Sequence, residues 1–190
     1  WLKRDGLKSA FAWLTRHKKG FLLGAVVFQV IVMVCAELFI RRDAAVVFKG
    51  AFDLLKQSSI TNYLSRNPNN IPLFLYEKFF YVLFGSSGLW VMQALNILYV
   101  NLGAVLLYKL SQKHFNQKTA DLVYLFYVSL ICYSPYFYSM YTDIPPLPLI
   151  ALQLWWALDL LKEDQASISW KKIVGLGILS GLSMLIRPTT

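Results

Sequence analysis

Two aspartates stand where apolar sequence gives way to polar sequence: Asp43, soon after the run ending at Ile40, and Asp143, within YTDIPPLP. A carboxylate at a membrane surface can accept a proton from an acceptor hydroxyl as that hydroxyl attacks a sugar carbon. Facing one cavity, the two acids could also orient an acceptor or offer oxygens to a divalent cation. Two acids without further ligands are a weak metal signal. Each acid also has a structural alternative, because Asp is a favoured helix cap and Asp143 suits a solvated loop. Three prolines, Pro145, Pro146 and Pro148, force an extended, non-helical stretch just after Asp143.

A second set of candidates is cationic: Arg41, Arg42, Lys49, Lys56, Arg66 and Arg187. Arginine suits phosphate oxygens through its planar fork of donors. The plainer alternative is contact with anionic lipid headgroups. His17 and His114 lie in basic segments and read as solvated, without a role. Nothing resembles a Ser/His/Asp set, a glycine-rich phosphate loop or a Cys/His metal cluster.

The elements that must position these residues are membrane helices. Hydrophobic residues make up 57% of the 190-residue chain, several of its apolar runs approach the roughly 20 residues needed to cross hydrocarbon, and the runs do not alternate as barrel strands do. The class is all-α polytopic membrane protein. The net charge of +9 is distributed in blocks between apolar runs, which anchors and orients a membrane protein and excludes a nucleic-acid groove. Cys35 and Cys132 fall within apolar runs and read as small core residues, uninformative about redox compartment.

Taken in order, residues 1–19 form a basic amphipathic segment on the cytoplasmic leaflet, and the first crossing follows over about 21–40. Glu37, near its outer end, reads as snorkelling to the interface. An external loop, 41–87, comes next. Apolar residues at 44, 47, 48, 51, 52 and 55 predict a surface helix over 44–56, and SSITNYLSRNPNN reads as a turn-rich link. The run 71–85 carries Glu77 and Lys78 at its middle, a pair costing several kcal/mol at the bilayer centre, so it is expected to rest on the surface as a second interfacial helix. Crossings are then expected at about 89–110, 120–138, 147–161 and 173–186. This topology puts Lys109, Lys113 and Lys118 inside and brings Asp143 to the same face as Asp43. Gln93, Asn96 and Asn101 in the second crossing are expected to hydrogen-bond to neighbouring helices.

An acid after the first span, a surface helix, NPNNIPLFL, a second surface helix ending in FG, a later Tyr-Thr-Asp and a closing GLGILSGLSMLIRP form a recognisable order. From about residue 20 onward this resembles the N-terminal half of the GT-C membrane glycosyltransferases, near the protein mannosyltransferase and aminoarabinose transferase branch and its Gram-positive members with a "YPNN" motif. The resemblance implies a GT-C-like module over 20–190, truncated at its C-terminus, with about five transmembrane helices and two interfacial helices. It makes Asp43 the catalytic base and Asp143 a partner in the site. It also implies a polyprenyl-phosphate sugar donor, which fits Arg41, Arg42, Arg66 and Arg187. Asn69, Asn70 and Tyr141, from the motifs that carry the resemblance, complete the candidate substrate- and phosphate-binding set. The sequence departs from the family in having Arg66-Asn67 before Pro68, where relatives carry Tyr or His. Asp43 also lacks the acidic neighbour of the protein mannosyltransferases.

The expected activity is sugar transfer on the outer face of a plasma membrane, with inversion, to a cell-envelope glycan, lipid or protein. No cofactor is called for beyond a candidate divalent cation, and membrane lipids are the remaining partners. The rival reading is a transporter or lipid-handling protein without catalysis, which calls for facing polar groups at mid-bilayer.

Overall fold

The computed structural model describes residues 4–36, 40, 42–138, 143–162 and 169–186. Among them the order is α1 (Arg4–Arg16), α2 (Lys18–Cys35), α3 (Arg42–Ala51), α4 (Gln57–Arg66), α5 (Ile71–Phe84), α6 (Gly88–His114), α7 (Gln117–Tyr127), α8 (Leu147–Lys162) and α9 (Trp170–Ile186), with short 3-10 turns at 68–70, 85–87 and 135–138. No strand occurs among the described residues. Among the described residues two helical stretches, Lys18–Cys35 and Pro68–His114, are long and apolar enough to cross a membrane.

The second stretch is not one rod. Gly85 adopts φ 56°, a conformation glycine enters at little steric cost, and the chain reverses there. Gly88 then meets the α5 backbone so closely that a Cβ would lie 2.7 Å from the Phe80 carbonyl oxygen. Phe80 packs with Met92 further along, and Leu73 and Tyr76 share a cavity wall with Tyr99 and Leu102. α5 therefore runs antiparallel along the first half of α6, as one arm of a helical hairpin. The two members of the charge pair used to keep residues 71–85 out of the bilayer go different ways, one into the interior and one to an ion pair at the protein surface. Glu77 is buried, and Lys78 reaches Asp53 at 2.6 Å.

Two cores hold the molecule. One joins α2, α6, α7 and the turns that follow α7, through Ala25, Val100, Ala104, Val128, Cys132 and Phe137; Phe11 and Leu14 of α1 pack onto it. The other joins α3, α5 and α6 through Ala51, Phe52, Phe80 and Met92. Between α2 and α6 the contact is polar at depth. Gln29, fully buried, donates to the Cys132 carbonyl (2.8 Å) and accepts from Asn101 (2.6 Å). Asn96 donates to the Phe137 carbonyl at 3.1 Å. Asn96 and Asn101 thus bond to neighbouring segments as their sequence context suggested, and Gln93 is buried beside them on α6.

At one end of the bundle polar side chains form a belt. Lys18 contacts Tyr108 (2.6 Å) and Asp121 (2.9 Å), Gln117 joins both, and Gln112 donates to Gln117. Lys113 and His114 meet Asp159 in the same region. His114 is therefore not solvated as its basic context suggested; its side chain is only 2% exposed. The cysteines divide: Cys132 is a core residue, whereas Cys35 is exposed, contrary to the reading of both as core.

Candidate functional site

The site is built on the α3–α5 region. α3 forms over the amphipathic stretch read from the sequence, with Ala44, Val47, Ala51 and Phe52 buried. It ends at Ala51 rather than Lys56 because Asp53 takes a left-handed backbone (φ 57°), and Leu54 N–H closes the end onto the Lys49 carbonyl at 2.7 Å. Arg42 is also left-handed (φ 54°), which is uncommon outside glycine and sets the direction in which Asp43 emerges. The stretch after α3 is not a turn-rich link. Residues 57–66 form α4, and Ile60 fills the space left by Gly50, where a Cβ would come within 2.5 Å of the isoleucine side chain.

This helix supplies a residue that the sequence reading missed. The Tyr63 hydroxyl hydrogen-bonds to the Asp43 carboxylate. It also accepts from Asn70 Nδ2 at 2.7 Å. Burial, and then the adjoining carboxylate, push the phenol up to about 12. Asp43 lies inside the first turn of α3 rather than at its cap, and its carboxylate is turned toward Tyr63. Asn70 is the N-cap residue of α5 but makes no side-chain cap bond, leaving its amide for Tyr63. Tyr63 and Asn70 lie on either side of the helix break at Asn67, which caps α4 through the Tyr63 carbonyl (3.1 Å).

Two residues beyond Asn70 the chain enters an apolar cavity of about 360 Å³. Pro72 and Tyr76 of α5, Tyr99 of α6, Pro145 and Leu149 from the chain after Asp143, and Ile186 at the end of α9 lie in its wall. Asp143 is half-buried, and the chain that follows is firmly seated, with Ile144 3% exposed and the Leu147 N–H on the Ile144 carbonyl at 3.1 Å. The start of α5 is thus the common neighbour. It touches the Asp43 network on one side and the segment following Asp143 on the other.

The remaining candidates fall differently. Arg42, Lys49, Lys56, Arg66 and Asn69 are exposed on this region. Arg41, Tyr141 and Arg187 lie outside the described residues, as does Glu37. Among the described residues no group of three or more His, Cys, Asp or Glu side chains is placed to hold a metal ion.

Neither a curated protein nor a solved structure matches the chain. A family model described as "Conserved hypothetical integral membrane protein" matches residues 8–190, and the chain, helical throughout its described elements, belongs to that family of integral membrane proteins.

Proposed function

We propose that this protein is a GT-C-type glycosyltransferase that moves a sugar from a polyprenyl-phosphate donor to a cell-envelope acceptor on the outer face of the plasma membrane. The observation that carries the reading is the Asp43–Tyr63–Asn70 chain at the edge of the apolar cavity. A base aligned by a neutral phenol stands next to a greasy recess suited to an isoprenoid tail. In this reading Asp43 takes the acceptor proton, and the freed oxygen displaces the lipid phosphate from the anomeric carbon with inversion. Asp143 helps orient the acceptor. Arg187, which follows Ile186 of the cavity wall directly in sequence, steadies the departing phosphate together with Arg42 and Arg66.

The membrane arrangement proposed with it has five crossings, α2, α6, α7 with its following turns, α8 and α9. Its support is the polar belt, which gathers the starts of α2 and α7 with the ends of α6 and α8 at one level. α2, with 18 residues, is about 27 Å long, close to a hydrocarbon thickness. The belt lies at the cytoplasmic surface, and the α5–α6 hairpin stands at the outer one, its flank Leu75, Phe79, Val82 and Trp90 exposed to lipid or headgroups.

The transporter reading draws on the buried Gln29–Asn101 pair. Both groups bond to each other and to backbone carbonyls, which is what helix packing in lipid requires. The test has two parts. Asp43→Asn should abolish transfer while inserting normally; near-normal turnover refutes the assignment. In a cysteine-free background, cysteine at position 56 should label from outside and at position 118 only from inside. The opposite pattern removes the topology.

A further inference from the structure

The arm α5 is hinged at one end and carries an acid in its joint with α6. At the hinge, Gly85 has φ 56°, and apart from its chain neighbours no heavy atom lies within 4 Å of where a Cβ would stand. Backbone rotation there meets little steric resistance. The buried face of the arm is Leu73, Glu77 and Phe80. Glu77 is 0% exposed, and neither carboxyl oxygen has a hydrogen-bond partner among the described residues. A charged carboxylate in that position is far costlier than the neutral acid, and burial pushes the carboxyl up to about 9. The α2–α6 joint is built differently, because there Gln29 and Asn101 satisfy each other at 2.6 Å.

The surroundings of the joint do not offset that cost. On α5 itself Tyr76 feels the acid, while Lys78 turns to Asp53 and lies over the Tyr81 ring, 5.0 Å from its centroid. From α3, Arg42, Asp43 and Lys49 are exposed. From α6, Tyr99 stands in the cavity wall, and Tyr108, Lys109, Lys113 and His114 lie toward the belt. From α9, Lys171 and Lys172 sit at the start of the helix, whereas its far end, Ile186, shares the cavity with Pro72 of α5. The turns at 68–70 and 85–87 carry no titratable side chain.

We propose that α5 is a proton-controlled arm, seated on α6 while Glu77 holds its proton and lifting about Gly85 when that proton passes to water, which uncovers the wall of the apolar cavity. Lifting parts Leu73 and Tyr76 from Tyr99 and Leu102, the residues that share that wall. Each opening releases one proton, so in the range between the ordinary carboxyl value and the raised one the open fraction grows about tenfold per pH unit. The inference rests on the surface placement of the hairpin in the membrane arrangement above, and does not depend on sugar transfer.

The experiment uses the full chain, cysteine-free except for Met92→Cys, in phosphatidylcholine nanodiscs. Met92 is 0% exposed and packs with Phe80 of the arm, so a water-soluble maleimide reaches position 92 through the open state. Labelling rates are measured at pH 6 and pH 8, with Glu77 and with Glu77→Gln, and their ratio cancels the pH dependence of the thiol reaction. The ratio should rise roughly hundredfold between the two pH values. Glu77→Met, a second neutral reference, should give the same rise. A ratio that is equal at pH 6 and pH 8 with both references overturns the proposal. Lys56→Cys, on an exposed residue, should label alike with Glu77 and with Glu77→Gln at each pH. If Lys56→Cys fails to label, this face of the protein does not meet water, and the surface placement falls together with the arm.

Discussion

Tyr63→Phe separates positioning from folding in the proposed site. The substitution keeps the ring and deletes one oxygen, which bonds to the Asp43 carboxylate and accepts from Asn70 at 2.7 Å. A net hydrogen bond contributes about 1 kcal/mol and one to a charged group up to about 3. Asp43 is exposed, so water takes over the vacated position and the lower values apply. The expected loss of stability is about 1–2 kcal/mol. The expected loss of sugar transfer is larger, of order a hundredfold, because a base freed by about 1 Å forfeits its alignment. Asn70→Ala removes only the outer anchor and should cost less in both measurements. Transfer is read as labelled envelope glycan in cells carrying each variant, and stability as the detergent melting midpoint. If Tyr63→Phe transfers at the wild-type rate, or loses transfer only in proportion to its melting shift, the hydroxyl does not position Asp43. The same contact has a pH signature. The phenol is raised from 10 toward about 12 in the fold, so its contribution is complete below pH 10 and is lost as pH rises through 12. The stability gap between wild type and Tyr63→Phe should be flat below pH 10 and close above it.

Three further substitutions probe the scaffold. Gly88→Ala puts a methyl 2.7 Å from the Phe80 carbonyl oxygen, against backbone that cannot yield without opening the hairpin; a loss of about 1–3 kcal/mol is expected, and a melting point equal to wild type would show that α5 does not lie against α6 as described. Gln29→Leu removes two hydrogen bonds between α2 and its neighbours and should cost about 1–2 kcal/mol in a membrane-mimetic melt, with no measurable cost indicating that Asn101 finds another partner. Glu77 is fully buried and neither carboxylate oxygen has a hydrogen-bond partner among the described residues, so Glu77→Gln should fold at least as stably as wild type; destabilisation by more than about 1 kcal/mol would reveal a partner for the carboxylate.

How much was legible follows from what kind of signal each element carries. α8 was read as 147–161 and lies at Leu147–Lys162, and four of the six apolar positions assigned to the α3 face, Ala44, Val47, Ala51 and Phe52, are buried, because apolar spacing reports burial directly. α4 was misread because QSSITNYLSR has the composition of a turn. Its helix depends on Ile60 seating over Gly50, a tertiary contact that no local propensity records. The antiparallel course of α5 was hidden by the assumption that two charges must face lipid, when Glu77 turns inward and Lys78 finds Asp53 twenty-five residues away. Tyr63 escaped notice for a different reason. Chemistry was sought among charged residues, and a neutral phenol between a carboxylate and an amide does not announce itself by charge. His114 shows the reverse error: a titratable residue among lysines looked solvated, yet packing removes it from water.

The turn that closes α7 bears on how this family can change. Residues Val128–Cys132 wind as a π-helix, with the Tyr133 N–H reaching back five residues to the Val128 carbonyl at 3.1 Å. A π turn accommodates one residue more than an α turn, so it is the natural scar of a single-codon insertion. Here the widened loop leaves the Cys132 carbonyl open to Gln29, and the extra residue rotates everything downstream by about 100°. Tyr138, which donates to the Ala36 carbonyl, inherits that rotation. A member of the family that lacked this one residue would turn its Tyr138 away from the Ala36 carbonyl, and its Gln29 would face a carbonyl already taken by the helix.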